Sequence, residues 1–144
     1  MYEYKVKEVL KVIDGDTVDI TIDLGFDLTK KERVRVAGVD TPEKRTRCKR
    51  EKKLGYDATH FAEAWFAEGG DITVKTSKDG KYGRMLGYFW RDDECFNTQL
   101  VELGYAFEYW GETKRDMKDV STLELLLAKR GYDSWENYAE ATES

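Results

Sequence analysis

Two short segments gather carboxylates in the way a hard cation requires. Asp14-Gly15-Asp16 sets two aspartates around a glycine, within reach of one ion. Asp40-Thr41-Pro42-Glu43 sets two more acids around the chain's only proline. Pro42 fixes its own φ and pushes Thr41 toward extended geometry, so Asp40 and Glu43 sit on a stiff segment at a strand end. A third segment, Asp79-Gly80-Lys81-Tyr82-Gly83-Arg84, is a turn that delivers an arginine onto a strand. Phosphate gives such an arginine a purpose, because the guanidinium fork matches two phosphate oxygens and keeps its charge at any working pH. Taken singly, each segment also suits an ordinary hairpin or a capped strand exit.

The elements that must position these residues show in the hydropathy pattern. Val18, Ile20, Ile22 and Leu24 alternate with Asp19, Thr21 and Asp23, which predicts a half-buried strand. A strand around Val6 to Val12 precedes it through the Asp14-Gly15-Asp16 turn. Val34, Val36 and Val39 mark a third strand after a polar, hairpin-like link from Gly25 to Glu32, and Arg33 and Arg35 then face away from the valines. Leu54, Ala58, Phe61, Ala62 and Trp65 fall at helical spacing before Gly69-Gly70. Strands follow around Ile72 to Val74 and from Met85 to Trp90, then a short helix from Asn97 to about Leu103. A longer helix over roughly Asp116 to Arg130 carries Val120, Leu123, Leu126 and Leu127 on one stripe. The tail from Gly131 to Ser144 is expected to pack through Trp135 and then fray. Five short strands with helices interposed predict an α+β fold: a small five-stranded OB-type β-barrel with about three α-helices, as one domain over residues 1–144.

Composition narrows the class. The chain has 144 residues, 37% of them charged, and no apolar run long enough to cross a bilayer. The start, Met1-Tyr2-Glu3-Tyr4-Lys5, lacks the layout of a secretory signal, so a cytoplasmic setting is expected. Cys48 and Cys95 lie far apart, with no second Cys or His at ligand spacing, and are read as free thiols rather than zinc ligands. The single histidine, His60, falls in the helical stretch with nothing around it to form a triad. Net charge is −5, yet Lys44 to Lys53 reads KRTRCKREKK and alone carries +6. A cationic segment beside Glu43 can steer a polyanion even on an acidic body, because screening leaves only nearby charge effective.

The motifs IDGDT, RVAGVDTPE and DGKYGR, in this order, resemble those of the staphylococcal nuclease family. The resemblance runs from about Val9 to Gly104 and more loosely to Trp135. It implies that Asp16 and Asp40 ligate Ca²⁺ through carboxylates and Thr41 through its backbone oxygen, with Asp14 nearby but not ligating. It implies that Glu43 acts as general base, and that Arg35 and Arg84 bind the scissile phosphate. Lys81 and Tyr82 would hold a neighbouring phosphate, and Tyr109 would flank a base. All-oxygen ligands favour calcium over transition metals. The implied activity is calcium-dependent hydrolysis of DNA and RNA phosphodiesters with low sequence preference, leaving 3′-phosphate ends. The expected partner is single-stranded or loosely paired nucleic acid, with no membrane, met by a monomer. The alternative is a non-catalytic OB module of the same shape that binds single strands.

Overall fold

The valine-rich alternation of the first third builds a three-stranded antiparallel meander. In the computed structural model, which describes residues 2–77 and 84–143, these strands are β1 (Tyr2–Asp14), β2 (Thr17–Gly25) and β3 (Leu28–Val36). Val18, Ile20, Ile22, Val34 and Val36 point inward and are buried, as a period-2 pattern requires. The hairpin link is tighter than the sequence suggests: β2 runs to Gly25 and β3 restarts at Leu28, so Phe26 is left almost fully exposed at the tip.

Closure comes from the second half. β5 (Ile72–Thr76) pairs with the start of β1, and β6 (Met85–Arg91) lies antiparallel to β5. β6 also runs parallel to β3, with Val34, Arg35 and Val36 opposite Met85, Leu86 and Gly87. The five strands β1, β2, β3, β6 and β5 thereby form a closed barrel. Three register shifts along β1 against β2 bend that long strand around the barrel. Two short pairings flank it: β4 (Val39–Asp40) with β8 (Phe107–Glu108), and β7 (Glu94–Cys95) with the end of β6.

Helix α1 (Lys49–Ala67) caps the barrel and shares its core through Ala62, Trp65 and Phe66, which meet Phe89 and Phe96. Helix α2 (Phe96–Glu102) sits close to the expected place. Helix α3 (Val120–Lys129) starts with its apolar stripe, later than the expected Asp116, because Asp119 caps it by accepting from the Ser121 backbone N–H at 3.0 Å. The tail corrects the expectation of fraying. Ser134 caps a fourth helix, α4 (Trp135–Thr142), whose Tyr138 is buried against Leu54, Leu123, Leu126 and Leu127. The chain therefore has four α-helices among the described residues rather than about three. Cys48 and Cys95 are free thiols, and among the described residues no helix is long and apolar enough to cross a membrane.

Asn97 straps the barrel shut. Buried at the start of α2, its Oδ1 accepts from the Phe89 N–H (3.1 Å), while its Nδ2 donates to the carbonyls of Ala37 (2.9 Å) and Gly87 (3.0 Å). It joins the end of β3 to the middle of β6. Removing it takes this partner from the Phe89 N–H and the Ala37 carbonyl, while the Gly87 carbonyl keeps the Ala37 N–H at 3.0 Å. Asn97→Leu is expected to cost about 2–4 kcal/mol, read as a lower urea midpoint at unchanged slope; a loss below ~1 kcal/mol would remove Asn97 from this role.

Candidate active site

The Asp14-Gly15-Asp16 turn and the Asp40-Thr41-Pro42-Glu43 segment lie side by side. The Thr41 N–H donates to Asp16 Oδ2 at 3.3 Å, and the Asp16 N–H donates to Asp14 Oδ1 at 3.2 Å. Asp40 and Thr41 are both buried. Arg35 comes off the outer face of β3, as expected, and its Nη1 lies 3.3 Å from Asp16 Oδ2. The guanidinium is further tied to main-chain carbonyls, Nη1 to Val36 (3.0 Å) and Nη2 to Val39 (2.8 Å). Four of the expected residues, Asp16, Arg35, Asp40 and Thr41, are thus joined by contacts or chain adjacency. Glu43 is exposed two residues further on, and Asp16 and Asp40 both act on its charge.

Arg84 is exposed and immediately precedes Met85, the residue opposite Val34 in the parallel pairing, so its backbone lies beside the strand of Arg35. Lys81 and Tyr82 lie outside the described residues. Tyr109 is half-buried and lines a groove of about 440 Å³ with Asp40, Phe107, Trp110 and Arg115. Lys114 and Glu51 escaped the sequence reading, and Trp110 belongs to an aromatic run expected to be mostly core but is itself exposed. Lys114 Nζ stands 3.5 Å from Asp40 Oδ1 and 5.3 Å over the Tyr109 ring. Trp110 lines the same groove from an exposed position. Glu51, seen in the sequence only as one acid among seven cations, is a buried carboxylate. No motif marks any of the three.

The charges are crowded. Burial, then the hydrogen bond and charge of Asp16, push the Asp14 carboxyl up to about 7. Burial opposes ionisation of Asp16 too, but the Asp14 hydrogen bond, the Arg35 charge and the Thr41 donors outweigh it and hold Asp16 below the usual carboxylate range. Burial raises Asp40; Lys114 counters this and the Asp16 charge adds to it. Glu43 is raised by burial and then by the charges of Asp16 and Glu51. Hard oxygen donors carrying unrelieved negative charge suit a divalent cation. Among the described residues, no three Asp, Glu, His or Cys side chains converge on one metal position. The protein would therefore offer Asp16, Asp40 and a backbone oxygen, leaving other positions to water or substrate.

Helix α1 sets the spacing of both acidic segments. A Cβ at Gly15 would stand 2.7 Å from Ala58 Cβ and 3.0 Å from Thr41 Cγ2, and one at Gly55 would stand 2.6 Å from the Glu43 carbonyl. The basic stretch is likewise more ordered than a mobile loop. Lys49 to Lys53 form the first turns of α1, and the Thr46 hydroxyl donates to Glu51 Oε1 at 3.0 Å.

A family model described as staphylococcal nuclease homologue matches residues 33–137. An uncharacterised protein of Methanocaldococcus jannaschii is 35% identical over 131 residues, covering 75% of this chain and 61% of its own. A thermonuclease of Staphylococcus intermedius is 39% identical over 102 residues, covering 68% of this chain and 56% of its own. An uncharacterised endonuclease of Escherichia coli O157:H7 is 31% identical over 124 residues, covering 85% and 73%. The chain thus spans somewhat more than half the length of the first two.

Two outcomes test this geometry. Gly55→Ala should lower stability, although helix propensity alone favours alanine by about 1 kcal/mol; a raised urea midpoint would contradict the close approach. Native Asp14 binds its proton more tightly than the unfolded chain does, at about 7 against 3.8. Across that window the native state holds more protons, so this group makes stability fall as pH rises. With chelator present, Asp14→Asn should therefore gain stability relative to the parent between pH 4 and pH 8. Thermal melts across that range would show it, and a constant difference would refute it.

Proposed function

Because this chain belongs to the staphylococcal nuclease family, we propose that it is a calcium-dependent nuclease hydrolysing phosphodiester bonds of DNA and RNA. One observation carries the reading: Asp16 is held at once by Arg35, at 3.3 Å, and by the Thr41 N–H, also at 3.3 Å. A candidate metal ligand in the β1–β2 turn and a candidate phosphate-binding cation on β3 are thereby fixed beside each other. A phosphodiester repels an incoming nucleophile, so cations on the phosphate and a base for the proton are what the reaction needs.

Asp16, Asp40 and the Thr41 carbonyl would hold the calcium. Bound there, it would neutralise phosphate charge and lower the pKa of water. Arg35 and Arg84 would grip the non-bridging oxygens and oppose the charge that grows as phosphorus becomes five-coordinate. Arg35 is already oriented by Val36 and Val39. Glu43 would take the proton from the attacking water, a role its raised proton affinity suits. Water oxygen would bond to phosphorus while the bond to the 5′ oxygen breaks; that oxygen would take a proton from solvent and Glu43 would return its proton to solvent, giving a 3′-phosphate. Lys81 and Tyr82 would hold the next phosphate, and Tyr109, in its groove beside Asp40, a base.

A second reading has its own observation. Lys114 places an ammonium 3.5 Å from Asp40, where a cation would otherwise act, as suits a module that binds single strands without cutting them.

Digestion of single-stranded and duplex DNA and of RNA, with calcium, magnesium or chelator in parallel, separates the two. Cleavage should require calcium, and Arg35→Ala or Arg84→Ala should cost on the order of a hundredfold to a thousandfold in rate with the fold intact. Cleavage surviving chelation would sink the metal role. Strand binding without cleavage in calcium would establish the second reading.

A further inference from the structure

Glu51 is only 5% exposed, although it stands among seven cationic residues between Lys44 and Lys53. A carboxylate removed from water needs partners, and this one has two. Its Oε2 accepts from the Glu43 backbone N–H at 3.2 Å and its Oε1 from the Thr46 hydroxyl at 3.0 Å. Thr46 Oγ1 in turn accepts from the N–H of Cys48, the residue that caps α1, at 3.2 Å.

This is a displaced form of a common helix start. A glutamate in the third helical position ordinarily reaches back to the N–H of the capping residue. Here Thr46 has taken that N–H, so the Glu51 carboxylate reaches past the cap to Glu43. Its place in the first turn of α1 also puts its charge at the positive end of the helix dipole. One turn on, Gly55 brings the helix against the Glu43 carbonyl. Both peptide groups of Glu43 are thereby fixed to α1, the N–H by Glu51 and the carbonyl by contact at Gly55.

We infer that Glu51 is a positioning residue: it anchors Glu43 and the following bend, residues 44–48, to α1, so that the Glu43 carboxylate meets the reacting water in one orientation. The inference rests on the reading of Glu43 as general base. Misplacing such a group by about an ångström costs on the order of a hundredfold.

The test uses the full chain carrying Glu51→Ala, Glu51→Gln or Thr46→Val, with two readouts. Amide hydrogen exchange at Glu43 and Cys48 should quicken at least tenfold in Glu51→Ala, less in Thr46→Val, and least in Glu51→Gln, which keeps an acceptor oxygen. On a single-stranded oligonucleotide in calcium, Glu51→Ala should lower kcat about tenfold to a hundredfold, with Glu51→Gln recovering most of it. KM should hold or fall, because removing the only acid of the segment makes it more cationic; a loose segment with no positioning role would change KM and spare kcat. If Glu51→Ala fails to fold, Thr46→Val alone decides, on the same two readouts. Unchanged exchange, or faster exchange with unchanged kcat, would overturn the inference. A parent protein that does not cleave would sink the nuclease reading and this one with it. A parent that cleaves beside a Glu51→Ala variant of equal kcat would sink this one alone.

Discussion

The contact between α1 and the two acidic segments governs this structure. Helix and turn approach so closely that side chains at Gly15 and Gly55 would collide with Ala58, Thr41 and the Glu43 backbone. A helix packed at ordinary distance would leave the Asp14-Gly15-Asp16 turn and the Asp40-to-Glu43 segment held to each other mainly through Thr41 and Asp16. The same helix supplies Ala62, Trp65 and Phe66 to the barrel core and Leu54 to the second apolar cluster. Large burial on its other turns, at roughly 25 cal/mol per Å² of apolar surface, holds the approach in place. Site geometry is thus a by-product of core packing.

Barrel closure does for the arginines what α1 does for the acids. Arg35 and Arg84 are nearly fifty residues apart in sequence, and the parallel pairing of β3 with β6 sets their strands together. That pairing is short, three residues on each strand, and it lacks the hairpin turn that would hold an antiparallel pair in register. Asn97 makes up the difference by binding both strands from a helix behind them. A buried side chain with all three hydrogen bonds satisfied also specifies register, because a slip of one residue would leave those groups unpaired.

The sequence revealed what is periodic. Alternation in β2 and β3 predicted which way Arg35 faces, and the structure agrees. It concealed what depends on distance in space. Nothing local distinguishes Glu51 from a solvated charge in a basic run, since its burial comes from Glu43 and Thr46 folding over it. Lys114 reaches Asp40 across more than seventy residues from a segment without regular structure. The tail helix was missed because its apolar face reduces mainly to Trp135 and Tyr138, too few for a periodicity, although Ser134 offers a recognisable cap.

The electrostatics point to a site adjusted for something other than stability. Asp14, Asp40 and Glu43 all hold protons more tightly than free carboxyls do, whereas Asp16 among them is held charged by Arg35, Asp14 and Thr41. A fold selected for stability alone would have replaced at least one of these acids, because like charges at close range in a partly buried site oppose folding. Arg35 and Lys114 offset part of that charge from within the chain. Arg35 does so with its direction fixed by main-chain carbonyls, its side chain mostly buried. Lys114 is half-exposed on a flexible stem, and so can yield Asp40 to a stronger cation at little cost. The two internal cations therefore differ in kind: one is built into the strand, and the other reaches the site from an exposed, irregular segment.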